Sequence, residues 1–563
     1  MRTVRVLGAS LQGAQAELVT VEARFDGATK ERTEVVLTGL PDPVIRESKG
    51  RLVCALEANG LHLPHGRLYL NLVPAGRRKS GESLDLPLLL AAACACGHFE
   101  PKALRGRLFL GELGIDGALH ASPGGLAAAL AAAQHGVSEV IAATVTAQEA
   151  AWAPGVTARA AQHVEQVLGH LVSPQRQLPP LTPSEAPAAP PAPLSLDEVR
   201  GQATAKFALA VAAAGGHGLL FLGAPGAGKS MLARRFATLL PEPTLEERLE
   251  ITRVLSAAGR WPGGLARSRP FRAPHHTVSY AGLVGGGAPP APGEITLAHC
   301  GVLFLDELPE FRREVLEALR QPLEEGVVRI SRAGRQLELE ARFQLLAAMN
   351  PCPCGYLGHP RTPCACPPTA VQRYRRRISG PLLDRIDLRI ELAPPTLDEL
   401  APRSAHGARG EASNRSTHST SATANSSTNG PTSSSTNSST EPTPQPSTQQ
   451  STGRTSVPSP PQSTNGTSAA ELAARVAAAR ARAHARQGAA RNADLDAAQL
   501  DVHAPVSARL RPLLERAQRQ RGLSARAVQS LRRVARTLAD LDGADELTSE
   551  HLARALALRA ALP

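Results

Sequence analysis

The sequence predicts an α/β protein with a phosphate-binding parallel sheet in its middle and a helical region at its C-terminal end. Strand-like and helix-like segments alternate over residues 1–172 and again over 196–403, which is the pattern of α/β domains. The run GAPGAGKS over 223–230 fits the phosphate-loop pattern G-x-x-x-x-G-K-[ST] at every fixed position. Residues 469–563 are rich in Ala, Leu and Arg with helical periodicity, which predicts a domain of about four helices.

Length, charge and apolar patterning narrow the class of protein. A chain of 563 residues predicts about three domains. The net charge of +12 favours an anionic partner such as nucleic acid, although solvated arginines on helix surfaces would give the same balance. The sequence shows no apolar run of about 18 residues free of breakers and no signal-peptide profile, so we expect no membrane span and a cytoplasmic protein. In a reducing compartment its eight cysteines are not expected to form structural disulfides.

The segments outside the phosphate-binding region differ in composition. In the N-terminal region the sequence predicts strands over 17–25, 33–37 and 67–73, and helices over 43–59, 86–96 and 124–135. A Pro/Ala-rich stretch over 173–195 is typical of a semi-rigid linker. Residues 404–468 are almost wholly Ser, Thr, Asn, Gln, Pro and Gly. They cannot bury enough apolar surface to fold, so we expect a disordered insertion there.

The phosphate loop lies between an apolar run over 218–222, which predicts a buried strand, and a helix-like run over 231–240. Glycines let backbone N–H groups turn toward phosphates, and a helix N-terminus favours negative charge. Lys229 would reach the β- and γ-phosphates of ATP, and Ser230 would hold Mg²⁺. The expected nucleotide-binding residues are Gly223, Ala224, Pro225, Gly226, Ala227, Gly228, Lys229 and Ser230.

Two further strand ends carry polar groups. An apolar run over 302–305 ends in Asp306 and Glu307. Downstream of a phosphate loop, this pattern predicts that Asp306 orients the Mg²⁺ shell and that Glu307 polarises the attacking water. Asn350 ends the next predicted strand, where its amide could position water or could simply form the turn before Pro351.

Two arginines are candidates for a site shared between subunits. Arg385 could complete a neighbouring subunit's ATP site as an arginine finger, or could pair with a nearby aspartate on the surface. Arg526 lies at the start of a predicted helix in the C-terminal region. Together with the phosphate loop, they predict an oligomeric ATPase whose sites lie between subunits.

Four cysteines occur as two close pairs, Cys352 with Cys354 and Cys364 with Cys366, directly after Asn350. Four thiols with Pro and Gly between them could hold Zn²⁺ tetrahedrally, although C-x₂-C is the more diagnostic spacing. A redox cluster and simple loop packing are the alternatives.

Five longer runs make the chain similar to one known family. They are RPFRAPHH over 269–276, PGEITLAH over 292–299, GVLFLDELPE over 301–310, NPCPCG over 350–355 and ISGPLLDRID over 378–387. On these runs the chain resembles the YifB/ComM family of magnesium-chelatase-like AAA+ ATPases. The resemblance covers nearly everything except residues 404–468, which the family pattern lacks.

The resemblance implies both site roles and an activity. It implies that Asn350 is sensor 1, Arg385 the trans-acting finger and Arg526 sensor 2. The family includes a hexameric competence helicase that promotes branch migration when imported DNA is integrated, so it implies a homo-hexamer acting on branched or single-stranded DNA without sequence preference. The residues alone indicate only ATP hydrolysis coupled to motion. The implied domains are a Lon-protease-like domain over 1–172, a linker over 173–195, a AAA+ core over 196–403, the insertion over 404–468 and a helical lid over 469–563.

The same subclass resembles minichromosome-maintenance helicases, which carry two insertions that face a central pore. The first would be the long segment between the phosphate loop and Asp306, centred on 274–292, where glycines and prolines indicate a projecting loop. The second would be a β-hairpin over 327–338. Its arginines could follow phosphates without reading sequence, or could be solvated at a subunit interface. The candidate DNA-contacting residues are His275, His276, Arg332 and Arg335.

Two other functions compete with a DNA motor. A chelatase-type chaperone ATPase for metal insertion shares the same core, but the chain shows no D-x-S-x-S motif of a metal-chelating partner domain. An ATP-dependent protease would need a Ser–Lys dyad in the Lon-like domain. Ser83 falls near the place of the serine, but Ala127 stands at the place of the lysine, so Ser83 would lack a base.

Overall fold

The computed structural model describes residues 3–27, 33–75, 79, 81–185, 194–287, 291–332, 335–394 and 468–559, with the backbone alone at 331, 332, 335 and 336. The predicted disordered insertion therefore lies outside the described residues, apart from Ser468. Of the predicted linker, the first part is described and packs closely. Leu181 N–H donates to Ala158 O (2.8 Å), and Glu185 pairs with Arg248 and Arg267 of the central region.

The N-terminal region is a seven-stranded mixed sheet in the order β3-β4-β2-β1-β5-β8-β9. The strands of this sheet are β1 (Val4–Gln12), β2 (Gln15–Asp26), β3 (Glu34–Thr38), β4 (Arg67–Val73), β5 (Arg107–Leu110), β8 (Glu139–Ala143) and β9 (Thr157–Ala161). The short strands β6 (Glu112–Leu113) and β7 (Leu119–His120) form a separate antiparallel pair. Its helices are α1 (Pro43–Ala58), α2 (Asp85–Ala95), α3 (Gly125–Gln134), α4 (Thr144–Ala150) and α5 (Val164–Val172). The helix α2 is apolar all round and buried along nearly its whole length, as expected of a helix enclosed by its domain.

The central region is a five-stranded parallel sheet in the order β11-β14-β17-β10-β18. Its strands and two hairpins are β10 (Leu219–Gly223), β11 (Phe271–Arg272), β12 (Gly285–Gly286), β13 (Ala291–Pro292), β14 (Val302–Leu305), β15 (Val327–Arg332), β16 (Arg335–Glu340), β17 (Gln344–Met349) and β18 (Leu388–Leu392). Its helices are α6 (Ala203–Gly215), α7 (Lys229–Arg235), α8 (Leu245–Ala257), α9 (Tyr280–Val284), α10 (Glu294–Leu297), α11 (Arg313–Ala318), α12 (Arg320–Glu325), α13 (Pro368–Arg375) and α14 (Gly380–Leu383). Every residue of β10, β14 and β17 is buried, because both faces of a parallel sheet are covered.

The C-terminal region contains five described helices, where the sequence predicts about four. They are α15 (Ala469–Gln487), α16 (Ala497–His503), α17 (Arg511–Arg521), α18 (Ala525–Asp542) and α19 (Ser549–Ala557). Pro505 follows α16 and Pro512 opens α17, and proline is tolerated only at or beyond helix ends. The α/β class with a large parallel sheet and a helical C-terminal region is confirmed. Among the described helices, none has the length and apolar character needed to cross a bilayer.

Buried polar contacts fasten the C-terminal helices to the central sheet. The His217 ring lies between two side chains, with Nδ1 2.8 Å from Asp387 and Nε2 2.7 Å from Thr537 of α18. Asp387 also accepts from the Ser530 hydroxyl at 2.5 Å. Burial acts to raise the pKa of Asp387, but the contacts with His217 and Ser530 and the charge of Arg533 together outweigh it and hold this pKa below its usual value.

The N-terminal region packs on the central region through the turn between β1 and β2. Ala14 is buried in a small apolar cluster with Val254 and Leu297. Next to it, a Cβ placed on Gly13 would come within 2.3 Å of the Leu339 side chain at the base of the β15–β16 hairpin. The N-terminal domain therefore touches the hairpin that the sequence predicts to contact DNA.

Candidate nucleotide-hydrolysis site

One edge of the central sheet collects the polar residues that follow its strands. The strands are parallel, so their carboxyl ends meet at the same edge, where ligands bind in open α/β sheets. The phosphate loop follows β10, Asp306 and Glu307 follow β14, and Asn350 follows β17. The sheet order β14-β17-β10 places these three strand ends side by side.

The phosphate loop has the backbone that its glycines allow. Gly226 and Gly228 have φ of 77° and 90°, in the left-handed region that favours glycine. A Cβ on Gly223 would lie 2.8 Å from the Leu392 carbonyl oxygen, so the close approach of β10 to β18 also requires glycine. The helix α7 begins at Lys229, which directs its first N–H groups toward the loop.

The Lys229 ammonium is held inside the site. Its side chain is buried, and the residue is only 8% exposed. Nζ donates to the carbonyls of Gly223 (2.6 Å) and Ala224 (2.9 Å) and to Asn350 Oδ1 (2.9 Å). Burial lowers the pKa of Lys229, against the opposing charges of Asp306 and Glu307. A phosphate oxygen could therefore replace these neutral acceptors and gain a charge-assisted contact.

Ser230 and Asp306 present a matched pair of oxygen ligands. The Ser230 hydroxyl donates to Asp306 Oδ2 across 76 residues of sequence, and Glu307 N–H donates to Asp306 Oδ1 at 3.0 Å. A hydroxyl oxygen beside a carboxylate is the hard donor set that Mg²⁺ prefers next to phosphates. These two residues therefore fit the predicted role of holding Mg²⁺.

Glu307 has an unusual backbone for a non-glycine residue. Its φ is 54°, a left-handed conformation that costs an L-residue about 1–2 kcal/mol. Its side chain is 54% exposed, and the carboxylate lies on the same edge as Lys229. Such local strain is concentrated at functional sites. An exposed carboxylate beside the phosphate loop has the position and access that an activator of water needs.

Asn350 joins the phosphate loop through its side chain. Its Oδ1 accepts from Lys229 Nζ at 2.9 Å. The residue also precedes Pro351, as a turn former would, but the amide has a partner at the centre of the site. The structure thus places Asn350 where a sensor of the γ-phosphate would lie. That role itself stays a prediction.

His276 lies at the same edge, which sequence reasoning missed. It follows β11, and β11 pairs in parallel with β14, so both strand ends reach the acidic pair. His276 Nδ1 is 3.3 Å from Glu307 Oε2. The sequence places His275 and His276 on a projecting DNA-contacting loop. The structure instead puts the His276 ring against the predicted water-activating carboxylate, and the DNA contact of both histidines stays a prediction.

Arg385 and Arg526 lie at the opposite edge of the sheet. The carbonyl of Arg385 is close to Gly218, just before β10, and Arg385 precedes β18. A five-residue strand spans about 16 Å, so Arg385 and the phosphate loop of the same chain are separated by more than one side chain's length. The Arg385 side chain is 7% exposed and pairs with Glu324 at 2.5 Å.

Glu324 joins these two arginines and was not found from the sequence. It lies on α12, and its other carboxylate oxygen pairs with Arg526. Next to Arg526, the Ser524 hydroxyl donates to Asp384 Oδ2 at 3.2 Å. Arg385 and Arg526 thus form one cationic cluster on the amino edge of the sheet, away from the lysine of their own phosphate loop.

The predicted second insertion is a β-hairpin. β15 and β16 pair antiparallel, with Arg332 opposite Arg335. The structure does not describe the side chains next to the tip of this hairpin, at 331, 332, 335 and 336. At the base, Arg329 pairs with Glu338 at 2.9 Å. The hairpin geometry is confirmed, and the DNA contacts of Arg332 and Arg335 stay predictions.

The four clustered cysteines converge beside the phosphate loop. Cys352 Sγ lies 3.4 Å from Cys354 Sγ and 3.6 Å from Cys364 Sγ, and Cys366 completes the group. A contact from the Tyr356 backbone holds the pKa of Cys354 below its usual value, at about 6. The loop touches the nucleotide site through Gly355, where an added Cβ would lie 2.6 Å from the Pro225 ring.

The structure also bears on the protease alternative. The Ser83 hydroxyl donates to the Ala9 carbonyl at 2.7 Å, so its proton is directed toward a group that is not a base. Ala127, at the place where the dyad would need a lysine, is buried. These contacts describe a packed serine and not an activated nucleophile.

A five-stranded parallel sheet with a phosphate loop, an acidic strand end and a polar strand end at one edge, together with a helical C-terminal region, defines an ATPase of the AAA+ type. Comparison with family models agrees. "Magnesium chelatase, subunit ChlI" matches residues 195–400, its C-terminal model matches 466–559, and "Subunit ChlI of Mg-chelatase" matches 21–145.

Comparison with individual proteins identifies the family more closely. The competence protein ComM of Haemophilus influenzae is 37% identical over 560 residues, which cover 97% of this chain and 96% of that protein. Proteins called YifB in Salmonella typhimurium and Escherichia coli are 35% identical, again over 97% of this chain and 95% of theirs. The chain belongs to the YifB/ComM family of magnesium-chelatase-like AAA+ ATPases.

Proposed function

We propose that the chain is an ATP-driven DNA motor, a hexameric helicase that promotes branch migration when imported DNA is integrated. The observation that supports it most is the division of the site between two sheet edges. Lys229 and Glu307 lie at one edge, and Arg385 lies at the other. A complete hydrolytic site then needs two copies of the chain, as in ring-shaped motors. The name of the ComM relative, a competence protein, supports a role with imported DNA.

Each residue has a role in hydrolysis. Lys229 would exchange its backbone acceptors for the β- and γ-phosphates of ATP. Ser230 and Asp306 would hold Mg²⁺, which would neutralise phosphate charge there. Glu307 accepts a proton from the attacking water, and Asn350 orients that water. Arg385 of one subunit stabilises the charge that develops at its neighbour's γ-phosphate. Arg526, in the same cationic cluster, acts beside it.

The hairpin and the first insertion would contact DNA. Arg332 and Arg335 lie at paired positions next to the hairpin connection, so six hairpins in a ring would present a circle of guanidinium groups. Such groups bind phosphates without reading bases. His275 and His276 lie before α9 on the first insertion and complete the proposed DNA-contacting set.

The deciding experiment combines ATP turnover with movement of a four-way DNA junction. We expect DNA to stimulate turnover and ATP to drive the junction, and both effects to need Lys229. The variant Arg332→Ala should lose junction movement and DNA stimulation more than basal turnover. Arg519→Ala, a substitution on the exposed face of α17, is the matched control. If turnover and DNA binding persist but junctions never move, the helicase proposal is wrong.

A chelatase-type chaperone ATPase is the second candidate, because the matching family models are those of the magnesium-chelatase ChlI subunit. It uses the same ATP site but has no need of DNA. Turnover that is indifferent to DNA of every form would favour it over the motor. Strong stimulation by DNA would exclude it as the main activity.

We also propose that Cys352, Cys354, Cys364 and Cys366 hold a structural Zn²⁺. Four thiolates at about 2.3 Å from zinc have sulfur–sulfur edges of about 3.8 Å. The three sulfur–sulfur separations among Cys352, Cys354 and Cys364 are 3.4–3.6 Å, close to that value. Metal analysis should give one zinc per chain, and Cys364→Ser should lose it, whereas the exposed Cys54→Ser should not. A purified chain that holds no zinc would overturn this proposal and favour the redox or packing alternatives.

A further inference from the structure

The last residue of α13 contacts the peptide that follows Asn350. Arg375 donates to the Pro351 carbonyl through Nε (3.3 Å) and through Nη2 (3.1 Å). Pro351 is buried and has no N–H, so the hydrogen-bond ladder of β17 does not continue through it, and its carbonyl needs a donor from elsewhere. One guanidinium supplies two such donors from 24 residues further along the chain. Arg375 therefore fixes the backbone from which the Asn350 side chain projects.

Arg377 makes a similar contact with the turn that follows Glu307. Its Nη1 donates to the Pro309 carbonyl at 3.1 Å and to Glu310 Oε2 at 2.7 Å. Both acceptors belong to the 3₁₀ turn Leu308–Glu310, which Glu307 precedes. The turn closes on Glu307, whose carbonyl accepts from the Glu310 N–H at 2.8 Å. Pro309 is buried and again lacks an N–H. Arg377 therefore holds the turn that sets the direction in which the Glu307 side chain leaves β14.

The segment that carries both arginines is itself anchored in the core. Tyr374 and Ile378, which flank the two arginines, are 5% and 4% exposed. They belong to the same apolar cluster as Met349, the last residue of β17, and Leu308, the first residue of the 3₁₀ turn. Donors on an anchored segment can hold neighbouring loops in one position, and catalytic side chains must be held to within about 0.5 Å.

We propose that Arg375 and Arg377 are positioning residues that hold Asn350 and Glu307 at a fixed separation around the attacking water. Each arginine acts through a main-chain carbonyl and not by touching the nucleotide. The proposal rests on the roles proposed above for Asn350 and Glu307 in ATP hydrolysis, and it does not depend on DNA. The substrate and the reaction are those of the ATP site. The new element is the pair of contacts that sets the distance between the two side chains that handle water.

Two other arginines of the same segment provide matched controls. Arg373 and Arg376 are exposed, and neither side chain has a hydrogen bond or an ion pair within the part of the chain that the structure describes. They carry the same charge at nearly the same distance from the site. A substitution at either position therefore changes the local charge without removing a donor from a carbonyl.

Methionine removes the donors of arginine and keeps much of the length of its apolar stem. The variants Arg375→Met and Arg377→Met are compared with Arg373→Met and Arg376→Met in the full-length chain. Arg375→Lys, which keeps one ammonium donor for the Pro351 carbonyl, is the conservative variant. Each protein is assayed for ATP turnover at saturating ATP without DNA, for ATP affinity and for the midpoint of thermal unfolding.

We expect Arg375→Met to lower kcat about tenfold, as when a buried acceptor loses its donors. Arg375→Lys should lose only about threefold, because one donor remains. Arg377→Met should also lose about threefold, because its side chain is 52% exposed and water replaces part of the contact. ATP affinity should equal that of the parent chain, since Lys229 and the phosphate loop are unchanged. The two control variants should match the parent in every measurement.

A double-mutant cycle identifies the side chain through which each arginine acts. In an Asn350→Ala background, Arg375→Met should cause little further loss of turnover, because the side chain that it positions is already absent. Arg377→Met should still cause its full loss there, because it acts on Glu307. If Arg375→Met does not fold, the cycle is carried out with Arg375→Lys, whose smaller loss should also disappear in the Asn350→Ala background.

Several results would overturn the proposal. The parent's kcat in Arg375→Met would show that the contact does not set the position of Asn350. Loss by the same factor in the parent and Asn350→Ala backgrounds would show that Arg375 acts elsewhere. An equal loss in Arg373→Met would indicate a general effect of charge, and an ATP affinity that falls together with kcat would indicate a distorted phosphate loop. If Asn350→Ala turns over ATP as fast as the parent, the proposed role of Asn350 fails and this proposal fails with it, whereas the first result leaves that role intact.

Discussion

The two edges of the central sheet carry different chemical groups. The carboxyl edge has a phosphate loop that is hydrogen-bonded to Asn350 and to Asp306, with Glu307 directly after Asp306. The amino edge has two arginines held by one glutamate. The first edge has groups that can bind a nucleotide and activate water. The second has two arginines but no phosphate loop. On the proposed function, catalysis depends on the contact between subunits, where the amino edge of one chain meets the carboxyl edge of its neighbour.

The largest effect is expected from Arg385→Ala. Loss of an arginine finger lowers kcat by about 10³-fold or more, while nucleotide affinity should hold, because the residue is distant from its own phosphate loop. The measurement is steady-state turnover beside nucleotide binding, with Arg519→Ala as the control. Normal turnover in Arg385→Ala would remove the finger from the site.

An experiment that mixes two inactive variants tests whether the two edges of the sheet complement each other. Arg385→Ala and Glu307→Gln should each be inactive, but a mixture should regain turnover. In mixed oligomers, an intact Arg385 from one variant meets an intact Glu307 from the other. Mixed rings that form but stay inactive would show that the two edges do not complement each other.

Glu307→Gln comes next in size. Removing a general base costs about 10²–10⁴-fold in rate, and the amide should leave ATP bound. Lys229→Ala, in contrast, should lose both binding and turnover, since Nζ lies at the centre of the loop. The matched control is Glu515→Gln on α17. Equal turnover in Glu307→Gln and the parent would require another base.

Arg526→Ala should have a smaller effect, about tenfold, as for one hydrogen bond to a charged group. Its place beside Arg385 predicts that it acts on the neighbour. A mixture of Arg526→Ala with Arg385→Ala should therefore regain nothing, since every amino edge lacks one arginine. If the mixture turns over ATP faster than the weighted mean of the two separate variants, Arg526 acts on the nucleotide bound to its own subunit.

The smallest effect is expected from Glu324→Gln, which removes the charge that holds both arginines. Because the glutamate side chain is partly exposed, we expect only about a threefold loss of turnover. Glu325→Gln, one residue further on α12, is the matched control. Unchanged turnover in Glu324→Gln would show that the arginines find their positions without it.

The sequence predicts the polar residues at the carboxyl edge of the sheet. It does not predict Glu324 and His276, which contact residues of the predicted site. The phosphate loop, Asp306, Glu307 and Asn350 each follow a short apolar strand, which is a local pattern. Parallel strands then bring such ends together whatever their separation along the chain. The pairing of Glu324 with Arg526 spans 202 residues and leaves no periodic trace. The nearness of His276 to Glu307 follows from the pairing of β11 with β14, and β11 has only two residues.

The ends of helices and strands can also be predicted only in part from the sequence. α1 and β4 lie where the sequence predicts them, since their ends are marked by Asp42 with Pro43 and by alternating burial. The helix after the phosphate loop was predicted over 231–240, but it begins at Lys229 and gives way to a 3₁₀ turn over Phe236–Leu239. Tertiary packing decides such ends. The domain limits at 172, 195 and 403 stay predictions.

The turn at Gly13 affects how the ATPase region would behave if it were produced without the first domain. It covers Leu339, which is 1% exposed, and the adjoining Ala14 fills a gap beside Val254. An ATPase fragment cut free of the first domain would open this apolar seam to water at the root of its hairpin. Such a fragment would self-associate through leucines that the first domain covers in the intact chain. The oligomers of the fragment would therefore differ from those of the intact chain.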